Sequence, residues 1–193
     1  MRTLRLTLVA LVIFMVTLAS AQEKKMEMPG GVKGAFLKQS MFVENQFVQL
    51  AEAIPQEKYS WRPADGVRSI AEAFLHVASG NYLMMKTIGA ALPEGVDAMK
   101  MEKSTTDKKQ IVEAMKKSFA FINEQVKKTD ESSYGKEVDF FGNKMTVLDM
   151  IFLGATHQHE TIGQAIAYAR TNGITPPWTE ERTKQQQQKK KAN

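Results

Sequence analysis

The sequence predicts an all-α protein, a four-helix bundle, from three observations. Apolar residues recur at helical spacing through four separated segments of a 193-residue chain. Each segment is bounded by capping or breaking residues rather than by hairpin signals. The fourth segment is apolar over most of its circumference, as a helix packed on several sides would be. No internal repeat interrupts this pattern.

In the first segment Phe36, Val43, Phe47, Leu50 and Ile54 form one stripe, and Pro55 ends it. The loop "PQEKYSWRPADG" follows, carrying Trp61 and two prolines. A second helix opens on Ser69 and Glu72, spaced as a capping box. Its stripe is Ile70, Phe74, Val77, Met84 and Ile88, with Asn81 in the middle, and "ALPEG" breaks it. A third helix starts between Ser104 and Asp107 and carries Ile111, Met115, Phe119, Ile122 and Val126. The stretch "VDFFGNKMT" reads as a short extended turn with Gly142 and Asn143 at its tip. The fourth helix starts near Thr146 with Asp149 three residues on. It presents Val147, Leu148, Ile151, Phe152, Ile162 and Ile166, then stops at Asn172–Gly173 before Pro176 and Pro177.

Three divisions follow. In residues 1–21, Arg2 and Arg5 precede the apolar run Leu8–Met15, and Ala19 and Ala21 fit a signal-peptidase site, so cleavage after Ala21 and export are expected. The run is too short for a membrane span. Residues 22–178 form the helical domain, long enough to bury a core without cross-links. Residues 179–193, "TEERTKQQQQKKKAN", are low in complexity and expected to be disordered.

Composition excludes several classes. With no cysteine there is no disulfide, thiolate ligand or cysteine nucleophile, and no G-x-S-x-G marks a serine nucleophile. The net charge of +5 sits at the ends: the leader supplies +2 and the tail +3, which leaves residues 22–178 neutral. A neutral domain is a poor phosphate-backbone binder, so no nucleic-acid partner is expected.

The chemistry-bearing residues are few. "HQHETIGQ" holds two of the three histidines. On a helix His157 shares its face with Gly154, Glu160, Thr161, Gln164 and Tyr168, whereas His159 points to the back, so the pair cannot chelate one ion. Polar groups gathered on one side of an apolar helix need partners, which leaves either a hydrogen-bonded seam or a ligand set. His76, beside Ala73, Gly80 and Leu83, lies at the edge of the second helix's buried stripe.

The segments "WRPADGVRSIAEAFLHVASGNY" and "HQHETIGQAIAYARTNGITPPW" resemble the DinB-like superfamily, over roughly residues 32–178. That resemblance implies a bundle with up-down-down-up topology. It also implies a divalent ion, zinc or nickel, held by one histidine of the second helix and a His-x-x-x-His pair of the fourth. Carried onto this chain, His76 and His157 stand at two ligand positions, Gly163 and Gln164 at the motif's end, and Thr161 where the third histidine belongs. Glu160, one turn from His157, is the candidate replacement ligand. Two histidines alone seldom hold zinc or nickel tightly. No residue is assigned a catalytic role. The resemblance implies hydrolase or thiol S-transferase chemistry on a small molecule, and often a homodimer. The alternative is a non-catalytic exported bundle whose former site is a polar pocket or packing seam.

Overall fold

The computed structural model describes residues 28–192, so the leader and its cleavage site lie outside the described residues. Four long helices form the bundle: α1 (Gly31–Ala53), α2 (Ile70–Thr87), α3 (Lys108–Lys128) and α4 (Val147–Thr171). A two-stranded antiparallel hairpin, β1 (Glu137–Phe140) and β2 (Asn143–Thr146), precedes α4, and α5 (Pro177–Ala192) ends the described chain.

The caps stand where the side chains dictate. Ser69 and Glu72 close a capping box on α2, and Thr146 and Asp149 close another on α4. Asp107 accepts from Gln110 N–H at the start of α3. Each of these side chains satisfies amide donors that a helix start leaves free, an effect worth about 1 kcal/mol per cap. At the far end of α4, Gly173 takes φ 76°, a backbone that costs glycine nothing.

Contacts across the bundle define its order. α1 packs on α3 and α4, and α2 packs on the same two, so α1 and α2 lie on one diagonal and α3 and α4 on the other. Lys108 Nζ donates to the Glu52 and Ile54 carbonyls, which sets the start of α3 beside the end of α1. Ala71 N–H donates to the Tyr59 carbonyl, so α2 also starts at that end. Gln158 of α4 reaches Asn81, and Trp61 stacks edge-on against Tyr168. α4 therefore runs against α2, and the topology is up-down-down-up. α2 and α3 are parallel, so residues 88–107 must run back along the bundle, carrying the 3₁₀ turn Met101–Lys103 past the face of α2.

The expected stripes form the core. Phe47, Leu50, Phe74, Ile111 and Phe119 are fully buried, and Phe47 sits edge-on against Phe74 at 6.1 Å. Burying each such side chain contributes about 1.5–3 kcal/mol.

Three expectations change. The fourth helix, expected to pack on several sides, has two helical neighbours and a wet outer face, because diagonal packing leaves every helix one open side; Phe152 is 57% exposed. The hairpin tip is Phe141–Gly142, one residue earlier than expected, because Phe140 pairs with Asn143. The helix Pro177–Ala192 carries residues 179–192, where disorder was expected, as regular helix. Gln, Lys, Arg and Ala are strong helix formers, Pro177 suits the first helical position, and Glu180 and Lys189–Lys191 complement the helix dipole. Trp178 docks on the core, while residues 180–191 are exposed.

Candidate functional site

Two helices and one loop build the site. His76 on α2 and His157 on α4 meet with their Nε2 atoms 3.0 Å apart and their rings 4.7 Å between centroids. The close approach depends on Gly80, one turn after His76. A Cβ there would stand 2.4 Å from His157 Cε1, so the imidazole lies directly on the α2 backbone. The 3₁₀ turn supplies Glu102, whose Oε2 lies 2.9 Å from His76 Nδ1 and whose Oε1 accepts from Arg68 Nε at 2.8 Å.

These contacts assign the protons. A carboxylate only accepts, so His76 carries its hydrogen on Nδ1 and presents a lone pair at Nε2. His157 then donates Nε2–H to that lone pair, and its own Nδ1 is buried without a partner. Both rings are neutral at pH 7. Burial, then the neighbouring His76 and Arg68, depress His157 to a pKa of about 4. Burial and Arg68 also lower His76, against the hydrogen bond and charge of Glu102 and the charge of Glu160.

Of the residues singled out in the sequence, His76 and His157 converge. Glu160 and Thr161 line the same small cavity of about 110 Å³ together with Arg68 and Gln164. Thr161 is buried, but its hydroxyl donates to the His157 carbonyl at 2.8 Å and is spent on its own helix. Glu160 is exposed at the cavity's edge. His159 points away, exposed, and donates to Gln39 Oε1 of α1 at 3.1 Å. Gly163 is exposed and outside the cavity lining.

Sequence reading missed both Glu102 and Arg68. Glu102 lies in a loop with no helical period, and only the parallel run of α2 and α3 brings it to the site. Arg68 precedes the α2 cap, where a helical wheel no longer applies.

A divalent ion fits these donors as two, not three. Moving the His157 proton from Nε2 to Nδ1 would turn two lone pairs onto one point, with His76 oriented by a carboxylate in the manner common to metal-ligating histidines. Among the described residues, however, no three His, Asp or Glu side chains gather as a ligand set.

A four-helix bundle of unusual order with two histidines facing each other across α2 and α4 defines the class. The chain belongs to the DinB family, whose model matches residues 26–192. It is 28% identical to the uncharacterized protein YjoA of Bacillus subtilis (strain 168), over 66% of this chain and 82% of that one. A DinB-like protein of Bacillus cereus ATCC 10987 superposes with a TM-score of 0.63 at 18% identity, covering 74% of this chain and 93% of the other. YfiT of Bacillus subtilis, described as a probable metal-dependent hydrolase with an unusual four-helix bundle topology, gives 0.60 at 13% identity, covering 78% and 93%. The colibactin self-resistance protein ClbS, solved in complex with double-stranded DNA, gives 0.54 at 16% identity, covering 75% and 98%.

Proposed function

We propose that this chain is an exported DinB-family protein that keeps the family's metal position as a two-histidine site and binds zinc or nickel loosely there. The observation that carries this reading is the 3.0 Å approach of His76 Nε2 to His157 Nε2, with His76 held from behind by Glu102. His76 and His157 would hold the ion, and Glu160, exposed at the cavity's edge, is the candidate for a third ligand. A bound ion of this kind supplies Lewis acidity and acidified water. Glu102 and Arg68 fix the tautomer and orientation of His76, and Gly80 admits the His157 ring. The family's hydrolase and thiol S-transferase chemistries are the reactions such a centre would serve. Export disfavours the second, because low-molecular-weight thiols are chiefly cytoplasmic. The neutral charge of residues 22–178 argues against nucleic acid as the partner.

The second reading is a non-catalytic binding bundle. The Thr161 hydroxyl, turned onto the His157 carbonyl instead of into the cavity, favours it.

Replacing Thr161 by histidine separates them. With metal at 100 times its Kd, stabilisation is about 2.7 kcal/mol, a rise of roughly 5–10 °C in melting temperature for a chain this size. Thr161→His titrated with zinc should reach that shift at much lower metal concentration than wild type. The wild type should show a much smaller shift, which Glu160→Ala removes if Glu160 serves as the third ligand. Identical zinc responses from wild type and Thr161→His would refute the metal position; no response in wild type alone would leave the binding-bundle reading.

A further inference from the structure

A second cavity, of about 340 Å³, opens on the opposite side of the histidine pair from Glu160 and Thr161. Its floor is His76, Gly80 and His157, its walls are Leu83, Met84 and Leu153, and the hairpin overhangs it with Phe140 and Phe141. Three features mark this pocket.

Phe141 is the first. It stands at φ 53°, the only non-glycine residue with positive φ among the described residues, and is 67% exposed. It and Gly142, at φ 81°, are the two central residues of a tight hairpin turn, and both need left-handed backbone. Such turns favour Asn or Asp at the first of these positions, and a bulky aromatic there is strained. The fold thus keeps an exposed aromatic at a site where a small polar residue would suit the backbone better. Strain of this sort, observed at a cavity rim, points to a task for the side chain.

Met99, 65% exposed, is the second, and it faces the same opening. Together with Phe140, whose ring centroid lies 4.7 Å from that of Phe141, it makes an apolar rim to the pocket. Thioether and ring edges of this kind suit an aromatic guest.

The polar end is the third. Glu102 holds the Nδ1 proton of His76, so Nε2 is a fixed acceptor at the pocket floor, occupied in this structure by the His157 Nε2–H. Ser79 Oγ donates to the Ala98 carbonyl, and the Glu102 carboxylate adds further acceptors. Arg68 neutralises Glu102 at 2.8 Å. The floor therefore asks for a neutral donor and offers no free cation to a carboxylate.

We propose that this pocket binds a small aromatic molecule bearing one neutral hydrogen-bond donor of the phenol type. The ring lies between Leu83 and the Phe140–Phe141 wall, and the hydroxyl inserts between the two imidazoles, donating to His76 Nε2 and accepting the Nε2–H that His157 gives up. The proposal rests on the histidine pair being the functional site, and it needs no metal.

The test uses the mature chain in EDTA, with 2-naphthol as the probe and 2-methoxynaphthalene, which lacks the donor, as its match. Calorimetry should show 2-naphthol binding tighter than the ether on the order of tenfold, the worth of one good hydrogen bond in a dry site. Phe141→Asn, which relieves the turn, should keep or raise the melting temperature while weakening both probes several-fold. His76→Leu should abolish the preference for naphthol while retaining binding of the ether. Equal affinity for the two probes in wild type, or unchanged affinity in a folded Phe141→Asn variant, would overturn the pocket. These outcomes are independent of zinc. A naphthol preference alongside a failed Thr161→His titration would remove the metal and leave the pocket standing.

Discussion

His157 is the residue whose environment has the largest consequence. Its folded pKa of about 4 lies below the ordinary 6.5, so the fold holds it neutral. Above pH 6.5 both folded and unfolded chains carry a neutral ring and stability does not respond. As pH falls through 6.5 the unfolded chain takes up the proton and the folded one does not, so stability is lost until pH reaches about 4. His76, also lowered, acts in the same direction. Between pH 6.5 and 5, above the range of the carboxylates, His157 should cost up to about 2 kcal/mol, at 1.36 kcal/mol per pKa unit. Urea unfolding in EDTA across that window should show the loss in wild type and a flatter profile in His157→Gln. Parallel profiles would mean that the fold does not hold this ring neutral. The histidines themselves were legible in the sequence, as was the separation of His159 from His157, because helical geometry is local. The tautomer was not, because Glu102 comes from a loop.

At the level of helices, the bundle carries a buried polar chain through an apolar core. Gln158 of α4 donates to Asn81 Oδ1 of α2 at 3.0 Å, Asn81 donates to Ser118 of α3 at 3.2 Å, and Ser118 donates to the Met115 carbonyl. All three side chains are fully buried. Such a chain ties three helices to one axial register, and breaking it leaves amide groups without partners at about 1–3 kcal/mol each. Asn81→Ala should therefore cost about 2–4 kcal/mol, since a cavity is added to the orphaned Gln158 amide. Gln158→Leu combined with Asn81→Leu should cost less than the two single losses summed. Chemical denaturation of the four proteins gives the coupling. Strict additivity would show that the amides do not act as one unit. Asn81 stood out in the sequence as a polar residue within an apolar stripe. Its partners did not, because nothing in one helix tells which residue of another it will face.

For the whole molecule, the open question is where it resides. No described helix is long and apolar enough to cross a membrane, and the leader lies outside the described residues. The proposal of export rests on Arg2, Arg5, the apolar run and the alanines before Gln22. Amino-terminal sequencing of the protein recovered from fractionated cells should begin at Gln22 outside the cytoplasm. A chain that keeps Met1 in the cytoplasm would end the proposal. It would also lift the objection to thiol chemistry that export raises.

What the sequence determined by itself is what neighbouring residues decide among themselves. The helix starts at Ser69, Asp107 and Thr146, the stop at Gly173 and the buried stripes are written in spacings of three and four, because caps and helix faces are local. The helical state of residues 179–192 was equally local, and it was missed because low complexity hid strong helix propensity. Tertiary structure decided the rest. Helix lengths and loops alone allow more than one order, and the parallel placement of α2 and α3 follows only once each stripe has found its partners. That placement carries Glu102 to His76, sets Gly80 beneath His157 and hangs Phe141 over the pair. Such meetings between residues tens of positions apart arise from the burial of the whole core, which no single segment can encode.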